Sequence, residues 1–143
     1  MTRASGPFDV KSAPLAHDAT PDGLTLSRFS LDKLFRGDLE GTSKGEMLAA
    51  GTPVKGSAGY VAVERVTGAL HGRRGSFLLQ HSGTMANGSQ QLVVSVVPDS
   101  GTGDLVGLSG TMKIIISPGG AHTYELSYDL SDKRSEISSA ADP

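Results

Sequence analysis

Residues 124–130 read Tyr-Glu-Leu-Ser-Tyr-Asp-Leu, and apolar and polar side chains alternate along the whole stretch. Successive side chains of a β-strand point to opposite faces, so this alternation is typical of a strand with one buried and one solvated face. Residues 91–97 and 111–116 are further short runs rich in valine or isoleucine, which favour strands. The last third of the chain is therefore predicted to be β-structure.

Extended segments are expected in the rest of the chain as well. They lie at residues 8–15, 24–35, 38–49, 58–66 and 74–82. Glycine-containing turn signals separate the segments, and helical spacing of apolar residues is not sustained in any window. Together with the three later segments, the sequence predicts about eight strands and very little helix.

The second of these segments has an irregular pattern. Its apolar residues change face near Arg28, with Leu24 and Leu26 on one side and Phe29 and Leu31 on the other. An extra residue in a strand shifts the alternation in this way, so we expect a bulge or bend near Arg28.

Eight consecutive antiparallel strands leave two exposed edges unless the sheet closes on itself. The predicted fold class is therefore all-β, a single closed antiparallel barrel of about eight strands in meander order, preferred to a sandwich. The barrel is expected to span residues 8–130. Residues 1–7 and 131–143 are small or polar, so we expect a flexible N-terminus and a flexible C-terminal tail.

Composition excludes several classes of partner. The 143 residues are 37% hydrophobic and 20% charged, with a formal net charge of −2 and no cysteine. Without a basic patch, nucleic acid is not an expected partner. No apolar run is long enough for a signal peptide or a membrane span, so a cytoplasmic protein with no membrane partner is expected. The four histidines lack metal-ligand spacing, and neither a metal nor a cofactor is predicted.

The glycine-rich segments have plain structural interpretations. Residues 101–107, Gly-Thr-Gly-Asp-Leu-Val-Gly, imitate a dinucleotide-binding loop, but no helical pattern follows them, which favours a turn between strands. Asn87-Gly88 predicts a two-residue hairpin turn. Asp38 and Glu40 share a strand face that could bind a cation, although a solvated surface is favoured.

Residues 60–81 contain the candidate catalytic residues. Glu64 continues an apolar or aromatic strand face from Tyr60 and Ala62, and His81 follows Phe77 and Leu79 in the same way. The sequence leaves open whether these faces point into the barrel. Inside a barrel, a carboxyl and an imidazole at these positions could act as an acid and a base. The alternative, which we favour, is that Glu64 pairs with Arg73 or Arg74, that His81 donates to a backbone or hydroxyl acceptor, and that neither group reacts.

Five residues in or near the predicted strands are candidates for ligand binding. They are Tyr60, Arg73, Gln80, Tyr124 and Tyr128. Strand tyrosines are more often packed in a core than placed in a cavity, so packing is the favoured interpretation for all three.

Several short motifs occur in a fixed order along the chain. They are Gly-Asp-Leu-Glu-Gly at 37–41, Glu-Arg-Val at 64–66, Gly72-Arg73 with Gly75-Ser76-Phe77, Leu-Gln-His at 79–81, Ser-Gly-Thr-Gly at 100–103 and Tyr-Asp-Leu at 128–130. In this order they resemble an uncharacterised bacterial family, the domain of unknown function 3224, over about residues 8–130. The resemblance implies a small self-associating barrel similar to that of allene oxide cyclase. It implies no activity, because the catalytic residues of that enzyme cannot be placed on this chain.

Three functions are compatible with a barrel of this predicted kind. The leading hypothesis is a barrel that binds a small, mainly apolar molecule. The second is a cofactor-independent isomerase or cyclase with Glu64 or His81 as acid or base. The third is a structural or interaction protein with a filled interior, whose outer valines form an interface. A homo-oligomer, with a dimer as the first guess, is the expected assembly.

Overall fold

The computed structural model describes residues 1–131, and almost all of them lie in eight β-strands or the turns between them. A single three-residue 3-10 helix, Gly103–Leu105, lies between β6 and β7. The strands are β1 (Thr2–Ala19), β2 (Thr25–Phe35), β3 (Leu39–Gly51), β4 (Ala58–Leu70), β5 (Arg73–Ala86), β6 (Ser89–Val96), β7 (Leu108–Ile116) and β8 (His122–Leu130).

The strands form a closed antiparallel barrel in the order β1 to β8, and β8 pairs with β1. The predicted all-β meander barrel of about eight strands is confirmed. Its ladders are unequal in length. Seven residue pairs, from Thr2–Tyr128 to Phe8–His122, join β1 to β8, whereas Ser95–Thr111 is the single pair between β6 and β7 in the part of the chain that is described.

The N-terminal residues differ from the sequence expectation. Residues 2–7 belong to β1 and pair with residues 123–128 of β8, so they form part of the barrel wall instead of a flexible end. Ala4 is fully buried, and a side chain at Gly6 would collide with the Arg36 carbonyl. Small residues are needed here because the chains approach closely. The predicted C-terminal tail lies outside the described residues, apart from Ser131.

The bulge or bend expected in β2 near Arg28 is not found in that strand, and an irregularity lies opposite it in β1. β2 keeps a continuous register with β3, and the shift occurs in β1 between Pro14 and Ala16, which pair with Phe29 and Arg28. Proline has no backbone N–H to donate to a ladder, so the pairing is interrupted there. Leu26 is simply an exposed leucine on the outer face.

Meander order places alternate connections at opposite ends of the barrel. The end formed by residues 20–24, 52–57, 87–88 and 117–121 is here called the open end, and the other the closed end. At the open end, Asn87 and Gly88 have φ angles of 50° and 88°. Positive φ at both central residues is the requirement of a type I′ turn, and the predicted Asn-Gly hairpin is confirmed.

The connection from β6 to β7 crosses the closed end. Its backbone is bonded to β5, where the Thr102 N–H donates to the Ser76 carbonyl over 2.8 Å and the Ser76 N–H donates to Thr102 Oγ1 over 3.0 Å. Leu105, on the 3-10 helix, is 1% exposed and packs into the core. The glycine-rich segment 101–107 is therefore a connection between strands, as predicted, and it seals this end.

Within residues 1–131, no helix is long and apolar enough to cross a membrane.

Candidate functional site

The interior of the barrel is packed towards the closed end and hollow towards the open end. A cavity of about 640 Å³ begins at the open end, which lies within the size range of small-molecule sites. Its wall is mainly apolar, formed in part by Phe8, Phe29, Leu31, Met47 and Ile114. Polar side chains, among them Gln90 and Gln91, lie at the rim.

Three buried polar residues meet at the deep side of the cavity. Lys33 is the lining residue of β2 nearest the closed end, and His81 has the same position on β5. Both contact one oxygen of Glu64 on β4: Lys33 Nζ lies 2.7 Å and His81 Nε2 2.6 Å from Glu64 Oε2. The three side chains are 5%, 3% and 0% exposed, in the order Lys33, His81 and Glu64. We call these three residues the buried triad.

The Glu64 carboxyl is held ionised by its neighbours. Burial alone raises its pKa, but the hydrogen bond from His81 and the positive charge of Lys33 outweigh that effect and lower the pKa to about 2. Glu64 is therefore a carboxylate at neutral pH, which accepts hydrogen bonds and cannot donate one. Glu64 and His81 are both buried, which meets the condition for an interior position, whereas a proton-donating role for Glu64 would need a much higher pKa.

The ionised carboxylate determines which ring nitrogen of His81 carries the proton that they share. Because Glu64 Oε2 only accepts, Nε2 of His81 carries the proton that lies between them. Nδ1 makes no hydrogen bond within residues 1–131, and the ring lines the cavity. In a neutral ring Nδ1 is an acceptor, and in a charged ring it is a donor.

Two buried oxygens near the triad lack partners. Glu64 Oε1 and Ser43 Oγ make no hydrogen bond to any described residue. Buried polar atoms without a partner cost about 1–3 kcal/mol each. Glu64 Oε1 is left without a donor because Lys33 and His81 both converge on Oε2, and neither Glu64 nor Ser43 lines the cavity itself.

Tyr60 is the sequence-predicted binding residue that lines the cavity. Its ring lies 6.3 Å from that of His81, centroid to centroid, and it covers Gly83 on β5, where an added Cβ would lie 2.6 Å from the tyrosine ring. Burial and the charge of Glu64 raise the pKa of the Tyr60 hydroxyl, so the hydroxyl stays protonated.

The other two tyrosines lie towards the closed end and serve the packing there. The Tyr124 hydroxyl donates to the Arg36 carbonyl over 2.6 Å and accepts from the Leu39 N–H over 2.8 Å. The Tyr128 hydroxyl lies 2.5 Å from Nδ1 of His71. Neither tyrosine lines the cavity, because their positions on β8 are below its floor.

Arg73 and Gln80 are also outside the cavity. Arg73 is exposed beside the turn between β4 and β5 at the closed end, and Gln80 is exposed on the outer face of β5. The expected pairing of Glu64 with Arg73 or Arg74 is replaced by pairing with Lys33 and His81, since both arginines lie at the strand end remote from Glu64.

Sequence reasoning did not single out Lys33, although a signal for it exists. Lys33 stands between Leu31 and Phe35, and all three are buried on the inward face of β2. Its ammonium lies 5.4 Å from the ring centroid of Phe8 and 6.0 Å from that of Phe35. A lysine in an inward apolar series needs a buried acceptor, and that requirement points to Glu64.

Outer valines and leucines remain exposed on the barrel wall. Leu48, Val61 and Val93 are 56%, 50% and 62% exposed and lie on adjacent strands, with Ser82 between the two valines. Self-association through this face stays a prediction.

Acid should remove the stabilisation that Glu64 provides. The pKa of Glu64 is lowered from 4.5 to about 2 on folding, so its contribution is complete above pH 4.5 and is lost as the pH falls towards 2. The loss should be about 3 kcal/mol, measured as the free energy of unfolding in urea at a series of pH values. Glu64→Gln should show a shallower loss than the wild type, and Glu40→Gln, at an exposed position, should follow the wild type. An equally steep loss in Glu64→Gln would contradict the lowered pKa.

Comparison with known proteins gives a family but no activity. The model of a family described as "Protein of unknown function (DUF3224)" matches residues 4–128. No protein among those with curated descriptions matches the chain. A crystal structure of a protein of unknown function from the DUF3224 family of Shewanella oneidensis MR-1 is 53% identical, with a TM-score of 0.87, and the match covers 92% of this chain and 98% of that one. This chain belongs to the DUF3224 family.

Proposed function

We propose that the barrel binds a small, mainly apolar molecule in its cavity. The observation that carries the proposal is a cavity of about 640 Å³ whose wall is mostly apolar and whose polar side chains are few and lie at the rim and at the deep side. Ligand sites commonly combine an apolar wall with a small number of fixed polar groups that orient the ligand.

The distribution of packing supports binding over a purely structural role. Towards the closed end, side chains such as Phe35, Leu70 and Phe77 are about 1% exposed and fill the interior. A barrel of eight strands is narrow enough for side chains to fill it along its whole length. Small residues, Ala49 and Gly83 among them, instead line the hollow part, and they leave room for a ligand.

Filling the cavity should block binding. Ala49→Phe places a ring in the hollow part of the barrel, and we expect it to weaken the binding of the neutral fluorescent probe N-phenyl-1-naphthylamine by about tenfold or more. The probe is titrated while its fluorescence is recorded, and circular dichroism reports whether the fold is kept.

The matched control is Ala16→Phe, which adds the same ring at an exposed position of β1 opposite Arg28. It should bind the probe as the wild type does. If Ala49→Phe also binds as the wild type does, the probe does not occupy the cavity, and the proposal fails for this class of molecule.

A second candidate function is a cofactor-independent isomerase or cyclase. The specific observation in its favour is His81, a cavity-lining imidazole whose Nε2 is bonded to the Glu64 carboxylate. That arrangement leaves Nδ1 as the position for a base. In this case His81→Ala would abolish turnover of a bound substrate while leaving its binding in place, whereas unchanged turnover would exclude His81 as the base.

A further inference from the structure

The cavity has two chemically different ends, and the difference restricts the ligand class. Polar rim residues and solvent lie at the mouth, apolar side chains form the wall, and the buried triad lies at the deep side. Within this triad, Lys33 and His81 reach the cavity lining while Glu64 lies behind them. A ligand that enters the cavity therefore meets the two nitrogen-bearing side chains and not the carboxylate.

Lys33 has donors to spare. Its ammonium carries three N–H groups, and within residues 1–131 its single hydrogen bond goes to Glu64 Oε2. Two aromatic faces, Phe8 and Phe35, flank it without supplying an oxygen acceptor. The remaining N–H groups need an acceptor in a mainly apolar space, where an unmet hydrogen bond is costly.

The charge of Lys33 distinguishes between the polar groups that a ligand could place at the deep side of the cavity. A cationic head would be repelled by Lys33 at close range, and a purely apolar molecule would leave the lysine donors unpaired. An oxyanion satisfies them and makes charge-assisted hydrogen bonds, which are the stronger kind.

The charge balance also involves His81. Lys33 and the Glu64 carboxylate cancel, so an added oxyanion leaves a buried charge of minus one unless His81 is protonated. The other titratable side chains that line the cavity are Tyr60 from β4 and His122 from β8. Strands β1, β3, β6 and β7 contribute no titratable side chain to its described lining.

We propose that the cavity takes a singly charged anionic amphiphile, head first, with its oxyanion on Lys33 and His81 and its apolar chain along the wall towards the mouth. This inference rests on the proposed function and names its ligand class. In the complex His81 is an imidazolium: Nε2 donates to Glu64, and Nδ1 donates to the ligand oxyanion.

The test compares three probes that share one chain and differ in the head: decanoate, decan-1-ol and decylammonium. By titration calorimetry near neutral pH, decanoate should bind about tenfold more tightly than decan-1-ol or better, and decylammonium should bind weakest. If none of the three binds, the proposed function fails as well. If decan-1-ol binds as tightly as decanoate, an apolar ligand site remains but its anionic specificity is overturned.

Two lysine variants test whether the oxyanion of the ligand binds at Lys33. Lys33→Met should reduce the preference for decanoate over decan-1-ol by about tenfold, and Lys44→Met, at an exposed position of β3, should leave it unchanged. A preference that survives in folded Lys33→Met overturns the proposal. Should Lys33→Met not fold, nitrogen-15 spectra of the His81 ring in the wild-type decanoate complex decide: protons on both ring nitrogens support the proposal, and a neutral ring overturns it.

Discussion

Glu64→Gln should lower the free energy of unfolding by about 3–5 kcal/mol near neutral pH. The Glu64 side chain is 0% exposed and its Oε2 holds both Lys33 and His81, so the amide leaves a buried ammonium without its counter-charge. Removing one partner of a buried ion pair is far more damaging than exchanging both. Urea unfolding followed by circular dichroism measures the change.

A double variant at Lys33 and Glu64 distinguishes the effect of an unpaired buried charge from the effect of altered packing. Lys33→Met with Glu64→Gln removes both charges and keeps most of the volume, so it should be more stable than Glu64→Gln alone by about 2 kcal/mol. If the two substitutions simply add, Lys33 and Glu64 are not an energetic pair despite their 2.7 Å contact.

Gly45→Ala should cost about 3 kcal/mol, because the backbone leaves no room for a methyl group. Gly45 pairs with Glu64 across β3 and β4. An added Cβ would lie 2.6 Å from the Glu64 Cα and 2.7 Å from its Cβ, with the Val63 carbonyl nearer still. Relief of this overlap requires the strands to separate at the position that holds the triad.

The matched control for this change is Gly119→Ala in the turn between β7 and β8, where an added Cβ meets nothing within 4 Å. Its effect on the free energy of unfolding should stay within about 0.5 kcal/mol. Both variants are measured by thermal and urea unfolding. A tolerated alanine at position 45 would mean that β3 and β4 are not held as closely as described.

Alternation along the strands indicated which residues share a face, and the faces that carry Glu64 and His81 are buried in the barrel. It did not predict how deep each residue lies. Tyr60 and Tyr124 both face the interior, yet the first lines the cavity and the second is fixed to the turn between β2 and β3. Depth depends on the stagger between strands, which a single strand's pattern does not contain.

The sequence could not identify Lys33 as the partner of Glu64 for the same reason. Lys33 lies two strands away on β2, and its contact with Glu64 across β3 follows from the combined registers of two ladders. Arg73 and Arg74 are nearer in sequence but pair with Leu70 and Ala69 at the far end of β4, away from Glu64. The small residues Ala4 and Gly6 led to a different error. In the sequence alone such residues indicate a flexible end, but in the structure they lie in β1, where pairing with β8 requires small side chains.

Within residues 1–131, Ser95–Thr111 is the one backbone pair between β6 and β7, so this is the weakest seam of hydrogen bonds around the barrel. The sheet is continuous from β7 through β8 and β1 to β6, so its two margins are strands adjacent in sequence. By contrast, the first and last strands, β1 and β8, are joined by a ladder of seven residue pairs. At these margins, β6 and β7 are also joined by the connecting segment 97–107, which Leu105 anchors in the core. We expect a chain cut within residues 97–107 to leave β6 and β7 joined by that one described backbone pair.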